Sequence, residues 1–167
     1  LDQGGISFSS EIPGYLSRLK NLTEFVLNNH ICIEDYKEYR NLCQSYLQLH
    51  IENSFAKEIP FGKIEVYTSI KCFNHKDLKE FYETFYNEKP EYKIVSDENT
   101  INWLIDVVFN NCIELFVKAS HSFSISGEYC QNCLFFLSLL TLNKEQTDKI
   151  LKLVVRLVAE GTNSVGI

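Results

Sequence analysis

The stretch that decides the fold is Asn102-Trp103-Leu104-Ile105-Asp106-Val107-Val108-Phe109-Asn110-Asn111-Cys112-Ile113-Glu114-Leu115-Phe116-Val117-Lys118. Its polar residues recur at Asn102, Asp106, Asn110, Glu114 and Lys118, four apart each time, and nearly everything between them is apolar. Spacings of three and four place residues on one face of a helix. A polar stripe this narrow means that neighbours cover the helix on most sides. The segment after Asn143 repeats the plan. Lys149, Lys152, Arg156 and Glu160 make its wet face, and Ile150, Leu151, Leu153, Val154, Val155, Leu157 and Val158 fill the rest.

Working outward, the flanking signals agree. Asn143 with Gln146 three residues on predicts a capping-box start for the last helix. A helix from about Glu128 to Leu142 precedes it, after a polar loop from Ser120 to Gly127. Ser96 or Asp97 caps the helix from about Thr100 to Lys118, and Asn74 caps a short one carrying Leu78, Phe81, Tyr82 and Phe85. Lys89-Pro90 ends that short helix. Nearer the start, a helix is expected from Pro13 to Asn28 or Asn29, with Tyr15, Leu16, Leu19, Leu22 and Val26 as its stripe. A second is expected from about Glu34, with Tyr36, Tyr39, Cys43, Tyr46, Leu47 and His50 on one face. Ile64, Val66, Ile70 and Cys72 alternate with polar residues, so this segment reads as a strand or, almost as readily, as a helix.

The fold expected is therefore all-α: a single-domain multi-helix bundle or a short stack of paired helices like a HEAT or armadillo array, with room for one extended segment near residues 64–72. The domain is expected over residues 13–160, with residues 1–12 as an N-terminal extension and 161–167 as a flexible tail. No repeat consensus stands in the sequence, so the likeness is one of shape.

Composition narrows the chemistry. The 167 residues suit one substantial core. With 45% hydrophobic and 23% charged residues, the chain falls in the ordinary globular class. A net charge of −6 and scattered basic residues argue against a nucleic-acid surface. The most apolar stretch, Cys130 to Leu142, falls short of the roughly 20 residues a membrane span needs. The chain has no methionine and starts with Leu1-Asp2-Gln3-Gly4-Gly5, which is no secretory leader. The expectation is a helical piece of a longer protein, with a processed chain as the alternative.

Cys72-Phe73-Asn74-His75 and Cys130-Gln131-Asn132-Cys133 each hold two metal-ligand residues at a spacing that suits tetrahedral zinc. The competing reading makes these cysteines small buried hydrophobes, and no resident cofactor is expected. Six cysteines and the sequon Asn21-Leu22-Thr23 allow a secreted, disulfide-linked helical bundle that acts as a ligand or carrier. Core-like cysteine positions favour the reduced, intracellular, cytoplasmic alternative. Signatures of catalysis are few: the chain has neither a nucleophile elbow nor a Gly-rich phosphate loop. His121, among the serines of its loop, is the one histidine placed like a general base.

Nine tyrosines and 12 phenylalanines remain. Tyr36, Tyr39 and Tyr46 share one predicted helix, and Tyr82 and Tyr86 another. Tyrosine joins apolar area to a polar tip and is enriched where proteins meet. The expected function is accordingly a protein–protein interaction or scaffold module. Its partner, another protein or the rest of a longer chain, would dock on these tyrosines. An enzyme domain built on His121 comes third.

Overall fold

A computed structural model describes residues 2–28, 37–119 and 125–164, with side chains described for 14–28, 37–118 and 127–160. Its elements run α1 (Asp2–Asn28), α2 (Lys37–Glu52), β1 (Glu58–Pro60), α3 (Lys63–Lys71), α4 (His75–Glu88), β2 (Lys93–Val95), α5 (Glu98–Trp103), α6 (Asn110–Ala119), α7 (Ile125–Ser138) and α8 (Lys144–Ser164). A π-helical turn, Leu104–Phe109, joins α5 to α6 into one continuous helix. The architecture is all-α, as the periodicity requires.

Three boundaries differ from the expectation. Helix α1 starts at Asp2, so residues 2–12 belong to the same helix as Pro13. Helix α7 starts at Ile125 and takes Gly127 into its first turn. A Cβ at Gly127 would lie 3.1 Å from the Phe116 ring, so the missing side chain lets α6 and α7 approach closely. Helix α8 runs on to Ser164.

The segment 64–72 takes the helical alternative. In α3 the residues Glu65, Val66, Thr68, Ser69 and Ile70 are all buried, leaving the helix almost no wet side. Covered this fully, a short segment shows no amphipathic rhythm, and its β-branched residues mimic a strand. The extended pieces lie on either side. β1 and β2 pair in parallel with Ile59 opposite Ile94, and both of these side chains are buried. Parallel strands need a crossover, and α3 with α4 supplies it. Three residues per strand offer too short an alternation for a period of two to stand out.

The predicted caps form. Asp97 accepts the Thr100 amide at 2.7 Å and Asn74 accepts that of Asp77 at 2.8 Å. Asn143 and Gln146 make the reciprocal box, at 2.8 Å from the Gln146 amide and 3.1 Å from the Asn143 amide. Glu98–Lys118 is the one run among the described residues long and apolar enough, by length and composition, to cross a bilayer. Within this fold it forms the centre of the core: Leu104, Ile105, Phe109 and Ile113 are fully buried, and α7 and α8 pack against α6.

Candidate functional site

A buried polar cluster ties α2, α3 and β1 together. Glu65 stands at the third position of α3, where its carboxylate accepts the Gly62 backbone N–H at 2.8 Å. This is the helix-start geometry in which an acid satisfies a donor that the helix cannot. The Tyr46 hydroxyl donates to the other carboxylate oxygen. His50 Nδ1 lies 4.0 Å from the same oxygen, and its Nε2 is 2.8 Å from the Pro60 carbonyl. Ser69 bridges onward, donating to the Glu65 carbonyl at 3.1 Å with its oxygen 2.6 Å from that of Tyr82. Glu65 is 2% exposed, and its carboxylate is taken up by Tyr46 and Gly62. The cluster is a structural tie and offers no open base to a substrate.

These contacts decide the place of the predicted tyrosines. Tyr46 and Tyr82 are each 1% exposed, inside the core. Burial drives both hydroxyls far above their ordinary range, and the Glu65 hydrogen bond adds to the rise at Tyr46. Tyr39 and Tyr86 are half-buried against the same core. Tyr36 lies outside the described residues. Among the described residues, Tyr39, Tyr46, Tyr82 and Tyr86 therefore form no common outward face: bulk fills the bundle first, and a hydroxyl is tolerated where a partner waits for it.

The two cysteine-bearing motifs do meet, but through an amide. Asn132, fully buried between Cys130 and Cys133, donates to the Ile70 carbonyl at 3.1 Å and the Phe73 carbonyl at 3.0 Å. Its Oδ1 is 3.0 Å from His75 Nδ1. Among the described residues no three of the metal-binding types come together, so Cys72, His75, Cys130 and Cys133 do not assemble a metal site. The thiols find one another in pairs. Cys43 hydrogen-bonds Cys72, and Cys112 hydrogen-bonds Cys133; these bonds lower the Cys43 and Cys112 thiols. Burial raises Cys133 and pushes Cys130 up to about 12, the mark of inert core thiols. Cys32 and His121 lie outside the described residues. Asn21 is exposed on α1.

The concave surface lies on the opposite sides of the tyrosine helices. Between α2 and α4 a groove of about 440 Å³ opens. Ile51, Phe73, Phe81 and Phe85 line it, and Gln44 and Gln48 continue into a second hollow that reaches Tyr15 on α1. Gln44 is fixed by donating to the Cys72 carbonyl at 2.6 Å, so one wall is held to the end of α3. Glu52, Asp77, Glu80, Glu88 and Lys89 bring the charges. Sequence reasoning missed this groove because Phe81 and Phe85 read as core; the available signal was the polar row Asp77, Glu80, Thr84, Glu88, three of them acids, beside them on α4.

Compared with known proteins, the chain matches no family model, no curated protein and no solved structure.

Proposed function

We propose that the chain is a protein–protein interaction module whose docking surface is the groove between α2 and α4. The observation that carries this is a concavity with an apolar, aromatic lining and polar walls, set on two helices that a buried network holds in place. Apolar linings with a few polar groups mark binding surfaces, and a helical groove of this kind suits an extended or helical segment. The partner surface thus moves from Tyr46 and Tyr82, which fill the core, to the far side of the same helices. The secreted-ligand and loop-histidine readings draw no comparable support from the described residues.

Selection of a random peptide library on the folded protein, with Thr84→Trp as counter-selection, tests the proposal. Thr84 is exposed and lines the groove, so a bulky ring there fills the space without entering the core. Selected peptides are expected to bind the native chain and to lose at least about tenfold on the filled variant, the loss of a central contact. A selection whose products ignore Thr84→Trp overturns the interaction reading at this site.

A further inference from the structure

Resting on that reading, we infer that the groove takes a cationic segment, one carrying lysines or arginines on either side of an apolar anchor. Four carboxylates, Glu52, Asp77, Glu80 and Glu88, border the groove against a single ammonium, Lys89. None of the four enters an ion pair among the described residues. Glu52 and Asp77 accept hydrogen bonds only from the neutral amides of Gln48 and Asn74. The Lys89 ammonium sits 5.0 Å from the centre of the Tyr92 ring, engaged with its own neighbour. The four acids are exposed and give the groove a net negative rim, which a positive partner complements.

The lining fits the same ligand. Phe73, Phe81 and Phe85 line the groove, and an apolar lining of this kind accepts the aliphatic stems of Lys and Arg while their charged heads stay at the acidic rim. A small metal cation finds no ligand set: no three carboxylate, histidine or cysteine groups among the described residues come close enough to ligate one, so the positive charge must be spread along a chain. Nucleic acid and anionic membrane carry the wrong sign. Two or more basic residues spaced along a peptide, with one apolar side chain for the Phe81 and Phe85 rings, satisfy all of these observations together.

Three labelled decapeptides sharing the same leucine positions, with lysine, serine or glutamate elsewhere, test this against isotope-labelled protein. The lysine peptide is expected to shift the amide resonances of Gln48, Asp77 and Thr84 and to bind more weakly as salt rises. Its affinity should fall about tenfold on the Glu52→Gln, Glu80→Gln, Glu88→Gln triple variant, whose changes are exposed and leave the fold intact. Equal binding of the serine peptide at the same amides overturns the cationic inference while the interaction module stands. A lysine peptide that leaves those amides unmoved, or binds the triple variant as well as the native chain, also overturns it. Loss of library-selected binders on Thr84→Trp decides the interaction reading separately.

Discussion

Arg156 on α8 places its Nη1 atom 3.1 Å from Oδ1 of Asn110 on α6, so the two polar stripes read as wet faces meet each other. The contact is one of a row. Gln146 donates to Asn102 at 3.3 Å and Lys149 to Asp106 at 3.3 Å, while Arg156 also pairs with Glu160 at 3.0 Å. A polar seam thus locks α8 along the central helix, and its cost in wet surface appears on the other side. Leu151, Val155 and Val158 are 56%, 67% and 62% exposed.

The seam predicts an uneven response along α8. Asn110→Ala and Arg156→Ala are each expected to cost no more than about 1 kcal/mol, with a coupling of about 0.5 kcal/mol, because a half-exposed hydrogen bond from Arg156 to a neutral amide competes with water. Leu157→Ala, which packs against the core, should cost about 2 kcal/mol. Leu151→Gln and Val155→Gln should stay within about 0.5 kcal/mol. Urea unfolding of the five single variants and of the Asn110→Ala, Arg156→Ala double variant measures this. Equal losses at Leu151 and Leu157 would mean that α8 is turned differently on its axis.

Asn132 predicts the opposite case, a single amide with wide reach. Asn132→Ala removes the donors to the Ile70 and Phe73 carbonyls and strands both, for an expected loss of about 2–3 kcal/mol. His75→Ala gives up one partly buried contact and should cost about 1 kcal/mol. The amide, and not a metal, links the motifs. Added zinc is therefore expected to leave the thermal midpoint in place, and a rise of several degrees would restore the metal reading.

How much of this was legible follows from how each element is covered. The Asn143–Gln146 box and the Asn74 and Asp97 caps act within four residues of chain, so local sequence carries them. The stripe from Asn102 to Lys118 gave the helix correctly, yet which surface would meet it depends on α8, far away in sequence. Helix α3 is the clearest loss: neighbours on every side erase the polar rhythm that would mark it. The burial of Tyr46 and Tyr82 was hidden for a related reason. Tyr46 and a surface tyrosine look alike until Glu65, nineteen positions on, is found beneath the hydroxyl. The groove needed α2 and α4 side by side, which neither helix states alone.

The buried phenols predict the alkaline limit of the fold. Tyr46 and Tyr82 keep their protons in the folded chain well beyond the range where a free tyrosine, with a pKa of about 10, loses its own. Below about pH 10 both states hold these protons and their contribution to stability is intact. Above it the unfolded chain releases them and the folded chain does not, so stability falls as pH rises, by about 1.4 kcal/mol per pH unit for each proton. Tyr82→Phe removes one of these protons and should flatten the decline by that amount. Tyr46→Phe should flatten it similarly while costing about 1–3 kcal/mol at pH 8, because Glu65 loses its donor. Urea midpoints from pH 8 to 11, read alongside tyrosinate absorbance, provide the check. Should the native chain and Tyr82→Phe decline in parallel above pH 10, Tyr82 is ionising within the fold and is not sealed in the core.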